Sequence, residues 1–177
     1  RYKDNVGAIA TKADAILKSP VDRFDMFSPT RLLEAAIKDG DEIMKLEEFA
    51  DRLLQFKRKK LYIINISQEV EFLESVHENL GIKNDFASIR SEYGVAWVNN
   101  HGCYIYDGSK ISNLLERGGM RLIDENEWAS FASYDPMITY YPRKKQIIVV
   151  DNASNAKSIY IYDLVTKSWT RGVYKIG

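Results

Sequence analysis

The residues that could carry out chemistry are few, and none of them is spaced for a catalytic or metal site. The sequence has one cysteine, Cys103, and two histidines, His77 and His101. A lone cysteine inside an apolar run is more often a small core residue than a nucleophile, and neither histidine is spaced with Cys103 or a carboxylate as metal ligands are. We predict that His77 lies on a helix face and His101 in a hairpin turn.

Clustered carboxylates are the other candidates, because two of them could act as an acid and base pair. The clusters are Glu47 with Glu48, and Asp124 with Glu125 and Glu127. Nothing near them in the sequence would shift a pKa, so they are predicted to be solvated faces. Gly118-Gly119 is typical of a turn and not of a phosphate-binding loop. We therefore expect no catalytic, cofactor-binding or metal-binding residue, no cofactor, and a protein that is not an enzyme.

Composition gives no global electrostatic partner. Lys plus Arg and Asp plus Glu number 25 each, so only a local patch could attract nucleic acid. No apolar run approaches the roughly 18 residues that a membrane-spanning helix needs. The sequence starts at Arg1 without a methionine and in ordinary-looking sequence, so we expect it to be part of a longer polypeptide.

The first half of the chain has helical spacing and the second half has strand texture. Ser28-Pro29 predicts a helix start and Gly40 its end. Helical spacing recurs in Val70, Leu73, Val76 and Leu80. From Ile89 onward, short β-branched or aromatic runs alternate with turn residues, which predicts strands. The turns are Asn99-Asn100-His101-Gly102, Asp107-Gly108 and the segment 151–155.

An internal repeat is the strongest signal in the sequence. Leu53–Ile64, Val95–Tyr106 and Ile138–Val149 can be aligned as strand, polar tip and second strand, at spacings of 42 and 43 residues. That period is typical of four-stranded β-propeller blades. The alignment also turns the helical pattern over residues 46–57 into a prediction of strands. A competing phase aligns Tyr104–Asp107 with Tyr160–Asp163, 56 residues apart.

The predicted fold is therefore mainly β, with propeller-like blades of about 42–43 residues and short helical insertions. Residues 1–45 are predicted to be an N-terminal segment with a short helix, which ends a preceding blade, and residues 46–177 to be about three repeats. The alternative is an α+β domain with a C-terminal β-meander. Three repeats are too few to bury both faces of every sheet, so we expect another segment or subunit to cover the open edges.

Two basic tips, Lys57–Lys60 and Arg143–Lys145, occupy the same position in this alignment. A propeller would display both on one rim, where they could meet an acidic neighbour. The simpler interpretation is that charged tips keep hairpin ends soluble. The aromatic residues could stack on sugars or bases, but their alternation favours packing between blades. They are Trp97, Tyr104, Tyr106, Tyr140, Tyr141, Tyr160, Tyr162 and Trp169.

Two resemblances to known families add to this interpretation. Tyr160–Trp169 resembles a kelch-type hairpin, in which an aromatic strand ending in Asp turns through Thr to a Trp. The second involves segments that follow one another in order, namely Phe24–Phe27, Asp39–Ile43, Leu46, Phe49–Leu54, Lys59–Asn65, Gly94–Asn99 and Gly102–Gly108. They resemble the propeller of tail nozzle proteins from short-tailed phages, including the muzzle of crAss-like phages.

The nozzle resemblance implies a virion structural protein around the DNA exit channel of the tail, assembled in the host cytoplasm. Its partners would be other copies of itself and other tail proteins, with weak DNA contact through the basic hairpin tips. The alternative is a kelch-like recognition module that binds a protein or a glycan.

Overall fold

The structure is a computed structural model that describes residues 2–3, 9–10, 15–28, 31–33, 40–68, 70–151 and 158–173. Within these residues the chain is mainly β, as the sequence predicts, and most strands belong to three four-stranded antiparallel sheets. The described strands form no closed barrel or propeller.

The N-terminal part contributes two short ribbons. One pairs β1 (Tyr2–Lys3) with β2 (Ile9–Ala10), and the other pairs β3 (Ile16–Leu17) with β4 (Leu32–Leu33). The helix predicted from Ser28-Pro29 to Gly40 is therefore wrong at β4, because pairing with β3 uses the backbone groups that a helix would bond internally. Residues 29–30 and 34–39 of the predicted helix lie outside the described residues.

Sheets I, II and III follow one another along the chain, and each strand in them pairs with its neighbour in sequence. Sheet I contains β5 (Ile43–Phe49), β6 (Arg52–Lys57), β7 (Lys60–Asn65) and β8 (Phe72–Glu78). Sheet II contains β9 (Ser88–Ser91), β10 (Gly94–Val98), β11 (Cys103–Tyr106) and β12 (Ile111–Asn113). After a ribbon of β13 (Glu116–Arg117) and β14 (Met120–Arg121), sheet III contains β15 (Met137–Tyr141), β16 (Gln146–Val150), β17 (Ser158–Asp163) and β18 (Ser168–Val173).

Short helical turns lie in the connections. The single α-helix of the described residues, α1 (Glu125–Phe131), precedes sheet III; short helical insertions are predicted from the sequence, but none is placed at these residues. Its Trp128 is fully buried and donates from Nε1 to the Asn99 carbonyl oxygen at 2.9 Å. Turns of 3-10 helix occupy Asp85–Ala87, Ala132–Tyr134 and Pro142–Lys144. The strands β5 and β6 confirm that residues 46–57 are extended, as the repeat required, except at the turn of Ala50 and Asp51.

Sheet II lies between the other two sheets, and both of its faces are buried. Toward sheet I, the Trp97 ring lies 5.3 Å from Phe56 and 5.6 Å from Tyr104, measured between centroids. On the opposite face, Cys103 and Ile105 are buried toward sheet III, whose β15 contacts β9 and β10. We call the side of a sheet that looks toward the sheet before it in sequence its preceding face, and the other side its following face.

The helix predicted over Val70–Leu80 is wrong, because this segment contains the edge strand β8. In β8, Leu73 pairs with Ile64 and Val76 with Tyr62, across a register shift. Side chains two residues apart on β7 therefore face side chains three residues apart on β8. The bulge places Leu73 and Val76 on one face and so reproduces the spacing of a helix within a strand.

The structure also decides between the two repeat phases. The segments Leu53–Ile64 and Val95–Tyr106 are the second and third strands of sheets I and II, so the spacing of 42 residues is confirmed. Ile138–Val149 instead covers the first and second strands of sheet III, so the spacing of 43 residues is wrong. The competing phase is correct, because the third strands β11 and β17 contain Tyr104–Tyr106 and Tyr160–Asp163. The difference in spacing arises from the insertion of β13, β14 and α1.

Each third strand ends in a side chain that closes the next turn in the same way. The Asp107 Oδ1 accepts from the backbone nitrogens of Ser109 and Lys110, both at 2.9 Å. The Asp163 Oδ1 accepts equally at 2.9 Å from two turn nitrogens, and Asn65 accepts from the next turn of sheet I at 3.0 Å. Such side-chain bonds to the backbone define an Asx turn, so the repeat conserves turn chemistry across all three sheets.

These turns predict a specific acid sensitivity. Backbone N–H donors lower the pKa of Asp107 and of Asp163 below 3.8, so the ionised forms stabilise the folded state above that pH. This stabilisation is lost as the pH falls through the depressed folded pKa values. The double variant Asp107→Asn, Asp163→Asn should keep both turns, as Asn65 does, and lose less stability than the wild type between about pH 5 and pH 2.

Urea unfolding followed by circular dichroism across this pH range measures the difference. The variant Asp85→Asn, changed at an exposed position between β8 and β9, serves as the control and should follow the wild-type profile. Equal acid destabilisation of the double variant and the wild type would contradict the assignment.

Candidate functional site at the turn end of sheets I and II

A pocket of about 160 Å³ lies where three connections meet at one end of sheets I and II. The β6–β7 turn, the segment after β8 and the β10–β11 turn each contribute to its wall. The lining residues are Arg58, Lys59, Asn79, Gly81, Lys83, Asn99, Asn100 and His101. These side chains include three cations and three amides, and among the described residues no carboxylate lines the pocket.

Asn99 joins two of the three connections. Its Oδ1 accepts from the backbone nitrogens of His101 at 2.8 Å and Gly102 at 3.1 Å, which closes the β10–β11 turn. Its Nδ2 donates to the carbonyl oxygens of Asn79 at 3.0 Å and Gly81 at 2.9 Å. Asn99 is buried, and both its amide oxygen and its amide nitrogen are hydrogen-bonded. Its side chain therefore holds together two of the connections that line the pocket. The sequence correctly predicts the turn and the position of His101 in it.

Gly81 lets the segment after β8 approach the β6–β7 turn. A Cβ atom at this position would lie 2.4 Å from the Lys57 carbonyl oxygen. The Ile82 nitrogen donates to that same oxygen at 2.9 Å, which fixes the approach. No residue with a side chain could follow this path without moving the backbone.

The charges around the pocket largely balance. Arg58 Nε donates to Glu42 Oε1 at 2.7 Å, and Lys83 pairs with Asp135 at 3.4 Å. The carboxylate of Asp41 accepts from the backbone nitrogens of Arg58 and Lys59 at 3.1 and 2.9 Å. Three carboxylates therefore lie close to the three cations and offset their charge, so the pocket does not act as a strongly positive patch.

The first basic tip is smaller than predicted. Lys57 is fully buried, with its Nζ 5.3 Å from the centre of the Tyr62 ring. Lys60 belongs to β7 and pairs with Glu78 at 2.8 Å. Only Arg58 and Lys59 remain exposed at the turn, and they are the ones that line the pocket.

The prediction that both basic tips share one rim is wrong. Lys145 lies over the Tyr93 ring at 5.7 Å, just before β10 begins, whereas Arg58 lines the pocket with Asn99, just after β10 ends. The two tips therefore lie at opposite ends of the strands. The two tips occupied equivalent positions only in the incorrect repeat phase. The Arg143–Lys145 tip follows the first strand of sheet III, whereas the Arg58–Lys59 tip follows the second strand of sheet I.

The reactive residues singled out in the sequence have structural surroundings. Burial raises the pKa of the Cys103 thiol well above its usual range, and the side chain is a core residue as predicted. His77 lies on β8 and not on a helix, with its Nε2 3.0 Å from Ser75 Oγ. Partial burial lowers the pKa of His77.

The clustered carboxylates pair with neighbours instead of facing one another. Asp124 caps α1, accepting from the backbone nitrogens of Asn126 and Glu127 at 2.9 and 3.2 Å. Glu127 accepts from the Tyr160 hydroxyl at 2.7 Å and from Arg171 at 2.9 Å. Burial, with this hydrogen bond, raises the pKa of Tyr160 to about 12.

The earlier carboxylate cluster is also paired. Glu47 lies 2.9 Å from Lys45, and Glu48 lies 3.1 Å from Arg90 of sheet II. Within the described ranges, no group of three or more His, Cys, Asp and Glu side chains could hold a metal ion.

Most aromatic residues pack between the sheets, as predicted. Trp97, Tyr104, Tyr106, Tyr160 and Tyr162 are buried, and Trp169 donates from Nε1 to the Leu114 carbonyl oxygen at 2.7 Å. Tyr140 and Tyr141 lie at the margin of sheet III, where Tyr141 is exposed. The predicted hairpin around Trp169 is β17 paired with β18.

Comparison with known proteins adds no family to this description. No protein-family profile matches the chain, and no curated protein matches it. No helix in the described part of the chain is long and apolar enough to cross a membrane. The function is therefore inferred from the arrangement of the sheets and from the surfaces they leave uncovered.

Proposed function

We propose that this chain is a structural segment of a β-propeller-like assembly, of the kind that forms the tail nozzle of short-tailed phages. The observation that carries the proposal is the polarity of the three sheets. Equivalent residues occupy the preceding face and the following face of the sheets, and sheet III has no following sheet among the described residues.

The third strands display this polarity. Tyr104 lies on the preceding face of sheet II, and Tyr160 occupies the equivalent position in sheet III. The next residue in each motif lies on the following face. Ile63 of sheet I is 3% exposed and Ile105 of sheet II is 8% exposed, because each is covered by the next sheet.

The equivalent residue in sheet III is Ile161, which is only half-buried. It shares the following face with a group of half-buried apolar side chains, namely Met137, Ile148, Val150 and Ile159. A contiguous apolar face of this kind is typical of an interaction surface. Sheet II covers the following face of sheet I. By the same repeat, we expect another segment or subunit to cover the following face of sheet III.

A nozzle would use such surfaces in a ring of copies around the DNA path, in contact with other tail proteins. The ordered similarity from Phe24 to Gly108 supports this choice among structural roles. Contact with DNA would be weak and strongly salt-dependent, since the exposed cations at the pocket are balanced by carboxylates. The assembly would be located in the virion tail.

A kelch-like recognition module is the second candidate, favoured by the pocket at the turn end of sheets I and II. Its amide and cationic lining could hydrogen-bond a peptide or a glycan. The pocket is small beside the several hundred Å³ of ordinary ligand sites, which favours the structural role.

Mass spectrometry and electron microscopy of purified virus-like particles from the source test the proposal. We expect peptides of this chain in the particles, at a copy number that matches the symmetry of a ring at the tail. A protein that is absent from particles and binds a defined peptide or glycan at about micromolar affinity or better would be a recognition module instead.

A further inference from the structure

We infer that the chain associates head to tail with a second copy of itself, through the loop between β3 and β4 of one copy and the following face of sheet III of the next. The inference rests on the proposed function in taking that face as a docking surface, and it names the segment that covers it.

The loop is unusually apolar for an exposed segment. Val21 is 87% exposed, Phe24 85%, Phe27 56% and Met26 48%. A scattered surface hydrophobe needs no explanation, but four large ones within seven residues form a patch that favours burial. Two phenylalanine rings alone would remove roughly 300–500 Å² from water.

The face offers the matching surface. Its apolar centre is formed by Ile148, Ile159 and Ile161, with Val150 and Met137 beside them. Thr139 and Thr170 border it as uncharged polar residues. An apolar centre with a polar rim is the usual anatomy of a protein interface.

The loop cannot reach this face within one copy. Lys18, at the start of the loop, forms an ion pair with Glu71, which precedes β8 of sheet I. Sheet II lies between sheet I and sheet III, so the two apolar surfaces are at opposite ends of the stack. Because both surfaces are apolar and they are separated in one molecule, we expect them to meet between copies.

Such a contact joins two different surfaces and is therefore heterologous. Repeated contacts of this type close into a ring or continue as a filament, depending on the rotation between copies. A ring is the arrangement that a nozzle requires, so the same contact would supply its symmetry.

Three aspartate variants test the contact by analytical ultracentrifugation of the whole chain. Phe24→Asp alters the loop, Ile161→Asp alters the face, and Val165→Asp alters an apolar turn residue that is 67% exposed and outside both surfaces. The wild type and Val165→Asp should associate with increasing concentration. Each of the other two should weaken association at least about 100-fold, because a carboxylate would be buried against apolar groups.

Mixing the two defective variants provides the decisive measurement. Phe24→Asp keeps an intact face and Ile161→Asp keeps an intact loop, so the mixture should form one-to-one dimers and nothing larger. Circular dichroism of each variant confirms that it is folded. A wild type that stays monomeric at high concentration overturns the inference, and so does a mixture that stays monomeric. If only Ile161→Asp disrupts association, the face docks a different segment of the second copy, which overturns the role of the loop and leaves the proposed structural function standing.

Discussion

Replacing Trp97 with alanine is expected to lower the free energy of unfolding by about 3–5 kcal/mol, a large part of the 5–15 kcal/mol that stabilises a typical domain. Trp97 is fully buried in the central sheet and contacts Phe56 and Tyr104. Its removal would leave a cavity in the interface between sheets I and II, where the surrounding strands can relax only in part. Urea unfolding followed by circular dichroism measures the loss.

Two further variants make this prediction specific. Phe86→Ala removes an aromatic ring that is 63% exposed, so the expected change lies within about 0.5 kcal/mol. Trp97→Phe should be less damaging than alanine, since it keeps a ring and removes an Nε1 that is buried without an acceptor among the described residues. A Trp97→Ala variant as stable as Phe86→Ala would show that the sheets do not depend on this interface.

The second large effect is expected at Gly94, where sheet II begins its second strand. Gly94 has a φ of +138°, and a Cβ atom there would lie 2.0 Å from the Tyr106 carbonyl oxygen. Gly94→Ala would therefore combine a backbone conformation that side chains rarely adopt with an overlap against the paired strand. We expect a loss of about 3 kcal/mol or more in the free energy of unfolding.

Gly118→Ala is the matched control, because it also has a positive φ, of +58°, but no atom within 4 Å of the added Cβ. This variant should cost about 1–2 kcal/mol, which is the backbone penalty alone. Equal costs at Gly94 and Gly118 in the same urea titration would mean that the close approach of β10 and β11 is not required.

Turn chemistry made the strands of sheets II and III predictable from the sequence. Asp107 follows the aromatic strand β11, and Asp163 is the last residue of the aromatic strand β17. Both side chains accept hydrogen bonds from the next turn, and His101 lies in the predicted turn. Hydrogen bonds of this kind join residues only a few positions apart, so the turns that they close can be predicted from a single sequence.

Features set by distant contacts were not predictable. The bulge in β8 imitates helical spacing, and α1 lies within a region of strand texture, where burial of Trp128 against sheets II and III stabilises so short a helix. The phase of the third repeat failed for a related reason. An alignment that slips by one strand in a meander moves a turn to the opposite end of the sheet, as it did for Arg143–Lys145.

The pocket illustrates the same limit. Its lining comes from connections that begin at Arg58, Asn79 and Asn99, each about 20 residues from the next, and it depends on Gly81 passing close to Lys57. Arg58, Lys59 and the β10–β11 turn were identified from the sequence, but Lys83 was not, and the carboxylates that balance these cations lie in separate segments. Asp41 and Glu42 could be assigned to Arg58 only after the register of β5 and β6 was known.

The sequential pairing of strands bears on how the chain folds. In sheets I, II and III every strand pairs with its neighbour along the chain, so each sheet can form by closing only short loops. Topologies dominated by local contacts fold faster than those that must first join distant segments. We expect the sheets to dock afterwards through Trp97 and Trp128, and before docking their apolar faces would be open to association with other chains.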